Sequence, residues 1–152
     1  MAYPQLVSVE AAVVAVREVA QEYQLEVEVT HDIGADQTSR RTAAGVFAIM
    51  DADGSMPHEA YVELGGRPAV TVQLFPDGDA KITVEGVEFH DIPRDSVPVF
   101  LRSVYGGLAH VTGKLFPPGH WLVVPLPGDQ TYKEMVLRGA GLSRWLSARV
   151  RP

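Results

Sequence analysis

The chain has 152 residues, with no cysteine, no asparagine and far fewer lysines than arginines. Lack of cysteine excludes a disulfide framework, thiolate metal sites and a cysteine nucleophile. It also fits a reducing cytoplasm, where we expect the protein to work. The excess of arginine over lysine and the absence of asparagine fit a GC-rich bacterial coding sequence. No run of about 18 apolar residues occurs, so no membrane span is expected. The start lacks a basic stretch followed by an apolar one, so no secretory leader is expected either. Positive charge is scarce as well. A net charge of −6 argues against binding through nucleic-acid phosphates, where clustered Lys and Arg supply most of the affinity.

What is present is ordinary globular composition, 46% hydrophobic and 21% charged, well away from that of disordered chains. The length suggests a single domain. Folding a chain of this size buries roughly two-thirds of its unfolded surface, so neither a disulfide nor a metal is needed as a staple. Charge is unevenly spread. From Gln130 onward, Lys133, Arg138, Arg144, Arg149 and Arg151 face only Glu134, and we expect this basic tail to dock back on the acidic body.

Residues 60–89 fix the class. Ala60–Leu64, Ala69–Phe75 and Ala80–Phe89 are strand-like runs separated by Gly65-Gly66-Arg67-Pro68 and Pro76-Asp77-Gly78-Asp79. Alternation broken by compact Gly/Pro/Asp turns is what consecutive antiparallel strands require. The last run changes phase: Ile82 and Val84 share a face with Val87 and Phe89 only if one residue is inserted. A β-bulge at Gly86 does this; a tight Glu85-Gly86 turn is the alternative.

Helical patterns flank the meander. Ser8 is a plausible cap for a helix to about Tyr23, with Val9, Val13, Val16, Ala20 and Tyr23 along one face. Leu25–Thr30 alternates, Leu25, Val27 and Val29 inward. Asp32–Thr42 reads as a loop, Val46–Met50 as a covered strand, and Asp51-Ala52-Asp53-Gly54 as a turn. Asp95 is placed to cap a second helix with Pro98 in its first turn, its face marked by Val97, Leu101, Val104 and Leu108, its stop by Gly106-Gly107. His110–Phe116 and His120–Leu126 form a hairpin around Pro117-Pro118-Gly119. Pro125 belongs at a strand end or an edge. Gln130–Arg138 and Leu142–Val150 read as two short helices. The expected fold is α+β: an antiparallel sheet of meander plus C-terminal hairpin, packed on one face by an N-terminal, a middle and a C-terminal helix. In element order alone, this is similar to the secretion-chaperone-like α+β proteins.

Motifs for chemistry fail on spacing. Counting from Asp51, a calcium loop would place Met56 where its glycine belongs and Val62 where its bidentate glutamate belongs. Gly107–Lys114 has five residues between its glycines instead of the four of a P-loop, Leu115 replaces the Mg²⁺-binding hydroxyl, and the segment leads into a strand. No serine lies in a Gly-x-Ser-x-Gly elbow. The histidines are His31, His58, His90, His110 and His120. His31-Asp32 and His90-Asp91 are neighbours that point to opposite faces of a strand and cannot chelate one ion. A composite site joining distant pairs has no support in the spacing, so hydrogen-bonded loop and strand-end histidines are expected, with no metal and no cofactor. Trp121, Trp145 and Tyr132 lie on or beside apolar stripes and read as core rather than as a ligand pocket.

One constellation remains. Glu26, Glu28, Glu63, Glu85 and Glu88, with Thr30, Tyr61, Thr71, Gln73 and Thr83, occupy outward positions and would form an acidic, hydroxyl-bearing face if helices cover the other side. Such a face can keep a protein soluble, or dock a protein partner with a basic surface. The expected function is a small binding module of the immunity-inhibitor or chaperone type, using Glu26, Glu28, Glu63, Glu85, Glu88 and Tyr61. The alternative is a small-molecule binder or enzyme whose site gathers His90, Asp91, His120 and Tyr132 for acid–base work. A homodimer pairing through an edge strand is a further alternative.

Overall fold

Ser8 opens helix α1 (Val9–Glu22): its backbone is extended and its Oγ accepts a hydrogen bond from the Ala11 N–H at 2.9 Å. That bond satisfies an amide with no partner inside the helix. Val9, Val13, Val16 and Ala20 are buried as their spacing requires, joined by Ala12 and Val19. The structure, a computed structural model, describes residues 5–32, 54, 58–115, 118–136 and 142–151. The strand expected over Val46–Met50 lies outside these residues, as do the loop beyond Asp32 and the turn at Asp51-Ala52-Asp53-Gly54 apart from Gly54.

Strands β1 (Val27–Asp32), β2 (Glu59–Leu64), β3 (Val70–Leu74), β4 (Asp79–Val84) and β5 (Val87–Pro93) form an antiparallel sheet in chain order. Ala60, Val62, Leu64, Val70, Val72, Leu74, Ala80, Ile82 and Val84 are buried on its inner face, where α1 packs against β1 and β2. The change of phase is resolved by the alternative, a tight turn at Glu85-Gly86, and not by a bulge at Gly86. Glu85 and Gly86, at φ 48° and 83°, make a tight turn that pairs Val84 with Val87, the primed geometry suited to twisted strands. The bulge is further on. Ala80 faces Ile92 and Ile82 faces Phe89, so His90 and Asp91 together oppose Lys81. Both are exposed, Asp91 has φ 56°, and Phe89 and Ile92 stay buried on either side.

Asp95 does not cap the second helix. Arg94–Ser96 is a 3-10 turn leading into α2 (Val97–Tyr105), and the cap position falls to Ser96, whose side chain makes no capping bond. Asp95 Oδ1 accepts instead from the Leu6 N–H at 2.7 Å. The buried Arg94 guanidinium donates to the carbonyls of Leu6 (3.3 Å), Phe75 (3.2 Å) and Pro76 (3.5 Å). The pair thus ties the N-terminal segment to the β3–β4 turn. Val97, Leu101 and Val104 are buried, Leu108 lies exposed beyond the helix, and Gly106 is its C-cap.

The hairpin belongs to a second sheet. Strands β6 (His110–Leu115), β7 (Pro118–Leu126), β8 (Gln130–Met135) and β9 (Val150–Arg151) are ordered β8-β7-β6-β9, with β9 parallel to β6. Pro125 lies beyond the Val123–His110 pair that ends the β6 ladder, so β7 is effectively an edge there. The helix expected over Gln130–Arg138 is a strand as far as Met135. Nearly every residue of β8 is exposed, so no apolar stripe holds a helix, and pairing from Leu126–Gln130 to Trp121–Met135 sets its state. The helix expected over Leu142–Val150 contracts to α3 (Arg144–Ser147), capped by Ser143, whose Oγ accepts from the Leu146 N–H at 3.2 Å. The tail docks by main-chain pairing of β9 on β6, with Arg149 stacked 4.4 Å from the Trp145 ring centroid.

Helix α2 packs against both α1 and β7, and β5 runs close to β8. The Phe100 ring lies 5.1 Å from Phe89 of the first sheet and 5.8 Å from Tyr132 of the second. Buried residues of both sheets and the helices form one cluster, against which Tyr132 and Trp145 pack. This is the expected α+β class. Among the described residues no helix is long and apolar enough to cross a membrane.

Candidate functional site

With helices on one side of the meander, alternation turns Glu28, Thr30, Tyr61, Glu63, Thr71, Gln73, Thr83 and Glu88 to the other. Register arranges them in rows. Glu28 pairs with Glu63, Glu63 with Thr71, Thr71 with Thr83 and Thr83 with Glu88; beside this row run Thr30, Tyr61, Gln73 and Lys81.

The five glutamates differ in their surroundings. Glu88 lies 3.5 Å from Lys81 Nζ and 3.2 Å from His90 Nε2. Glu85, in the β4–β5 turn, accepts from the Ala69 N–H at 3.2 Å and from Ser143 Oγ at 3.1 Å, which holds the C-terminal segment to the first sheet. Glu85 also lies near Tyr105, whose phenol pKa is pushed well above the usual tyrosine range by burial first and by the Glu85 charge second. Glu26, Glu28 and Glu63 have no ion-pair partner among the described residues. Glu28 and Glu63 are direct cross-strand partners, a like-charge pairing that destabilises a sheet. With Glu26, Val27, Leu64 and Gly65 they line a groove of about 420 Å³. Tyr61, 40% exposed, precedes Glu63 along the same face of β2.

The other predicted residues are dispersed. His90 is exposed and engaged with Glu88, and Asp91 occupies the exposed bulge. His120 is exposed on β7 opposite Gly113. Tyr132 is half-buried against Phe100, with its hydroxyl accepting from Gln130 Nε2 at 3.3 Å. None of the four lines the groove at Glu26–Glu63 or the apolar groove between α1 and α2.

A second cluster was not expected from the sequence. On β1 the inward series Val27, Val29 continues to His31; on β2 the inward series Val62, Ala60 runs back to His58. His58 is buried and His31 is half-buried, and both lie beneath Glu10 in the first turn of α1. His31 Nδ1 and His58 Nε2 are 2.8 Å apart. Glu10 Oε1 stands 3.4 Å from His58 Nε2 and 3.7 Å from His31 Nδ1. The signal in the sequence was the parity of each strand; the partnership depends on a register linking residues 27 positions apart.

Compared with protein-family models, with curated proteins and with solved structures, the chain has no match.

Proposed function

We propose that this chain is a protein-binding module that docks a basic segment, rich in Lys or Arg, on the open face of its first sheet. Glu26, Glu28 and Glu63 would take the cations and Tyr61 would supply apolar contact beside them. The observation that carries the reading is the Glu28–Glu63 pair: two carboxylates directly opposite, lining a groove, with no neutralising cation among the described residues. Such a pair costs stability, and a basic partner would remove that cost on binding. Complementary charge favours fast and selective association. An inhibitor or chaperone of a basic protein would have these attributes.

The test compares the wild-type chain with Glu28→Lys/Glu63→Lys as baits in lysate of the source organism, at low and high salt. One basic protein held by the wild type, released by salt and at least about tenfold depleted on the variant supports the reading, because exposed charges are screened by salt. Retention indifferent to both salt and substitution refutes it. Glu63→Lys alone turns a like-charge pair into an opposite one, so its folded state should be more stable by roughly 0.2–1 kcal/mol. Better stability with poorer binding is the signature of a site kept at a cost.

A further inference from the structure

We infer that Glu10, His31 and His58 form a binding site for a single divalent transition-metal ion of the zinc type. The site lies on the inner side of β1, away from the carboxylates of the open face, and stands independently of the docking reading. The three donor atoms are separated by 2.8, 3.4 and 3.7 Å. A triangle with those sides has a circumradius of about 1.9 Å, so a point about 2.0–2.1 Å from every donor lies less than about 1 Å off their plane. Those are the bond lengths zinc makes to imidazole nitrogen and carboxylate oxygen.

A hydrogen bond between the two imidazoles explains only one side of the triangle. It satisfies His31 Nδ1 and His58 Nε2, yet leaves Glu10 Oε1 facing both nitrogens at 3.4 and 3.7 Å, outside the usual 2.7–3.2 Å range for N–H···O bonds. A cation between them engages all three at once. Two imidazoles with one carboxylate suit zinc, copper, nickel or iron rather than magnesium or calcium, which take all-oxygen shells. The burial of His58 against the half-exposed Glu10 and His31 gives the site one dry wall and one open side. The ion would join the first turn of α1 to the end of β1 and the entry to β2.

The experiment uses the untagged full chain, stripped with a chelator and titrated with Zn²⁺ by calorimetry and with Co²⁺ by visible spectroscopy. One ion per chain is expected, with a Zn²⁺-dependent rise in melting temperature. His31→Ala should weaken Zn²⁺ binding at least about 100-fold, since even outer partners of metal ligands are worth 10–100-fold. Glu10→Gln, on the exposed side, should weaken it at least about tenfold and abolish the thermal shift. His90→Ala, which removes an exposed imidazole with its own carboxylate, should leave affinity unchanged. No Zn²⁺ or Co²⁺ uptake, or uptake surviving both His31→Ala and Glu10→Gln, overturns the inference.

Discussion

The two sheets are built from the same physics in different proportions. In the first, every strand from β2 to β5 carries a buried apolar series, and tight turns join neighbours from β2 onward. In the second, β7 carries a buried series of Leu122, Val124 and Leu126, while β8 is exposed along nearly its whole length and β9 has two residues. A sheet that buries one complete face specifies its own register, because a one-residue slip would expose the core. A strand such as β8 takes its state from its neighbour. Side-chain burial thus anchors the first sheet, and main-chain pairing supports most of the second.

The largest test of that contrast uses a shared partner. Phe89 on β5 and Tyr132 on β8 both touch Phe100, at ring separations of 5.1 and 5.8 Å. Phe89 is fully buried and Tyr132 only partly. Phe89→Ala should cost about 3–5 kcal/mol, the range for a buried aromatic cut to alanine, and Tyr132→Ala roughly half as much. Urea unfolding followed by circular dichroism gives both values. Equal costs would mean that β8 anchors the core as firmly as β5. An unchanged m-value in Phe89→Ala would show both sheets still unfolding together.

Helix caps sharpen the contrast at smaller scale. Ser8 is fully buried and caps the 14 residues of α1 over the first sheet; Ser143 caps the four residues of α3 beside the second. Ser8→Ala should cost about 1–2 kcal/mol, at the upper end for lost caps because its hydroxyl is buried. Ser143→Ala should cost less than about 1 kcal/mol, although it also removes the bond to Glu85. Its clearer sign would be faster amide exchange at Leu146 and at Val111, whose N–H donates to the Arg149 carbonyl.

What the sequence made legible follows the same line. The Ser8 cap, the α1 stripe, the meander and the Gly106 stop are local signals, each written within a few residues, and each is present in the structure. Gln130–Met135 was misread because strand pairing, not its own pattern, decides its state. Of the two readings of the phase change, the tight Glu85-Gly86 turn is the one present and the bulge lies further on at His90-Asp91; the sequence left the choice open because Glu85 adopts a positive φ where glycine or asparagine is the stronger signal. For the candidate sites, parity correctly put Glu28, Glu63 and Tyr61 on one open face. That Glu85 and Glu88 are engaged locally, whereas Glu26, Glu28 and Glu63 converge, required coordinates. The meeting of Glu10 with His31 and His58 joins three separate elements, and strand parity alone could not show it without the register.

The smallest expected effect lies where the halves are stitched together on the surface. Glu22 ends α1, which covers the first sheet, and Arg102 belongs to α2, which packs on β7 of the second. Arg102 donates through Nε to Glu22 Oε2 at 3.1 Å and through a terminal nitrogen to Oε1 at 2.8 Å, a two-point geometry stronger than a single contact. The Arg102 hydrogen bond lowers the Glu22 carboxyl pKa, and the same bond raises that of the guanidinium. Because the folded carboxyl titrates below the unfolded one, its contribution is complete above the unfolded value of about 4.3. It is lost as pH falls through the lower folded value. Arginine remains charged throughout that window, so the carboxyl alone sets the dependence. Glu22→Gln should therefore lower the melting temperature slightly at pH 7 and low salt. The difference from wild type should shrink in acid, as the folded carboxyl takes up its proton, and in 1 M salt at neutral pH, because exposed pairs are screened. A difference that persisted under both conditions would place the role of Glu22 in packing rather than in its charge.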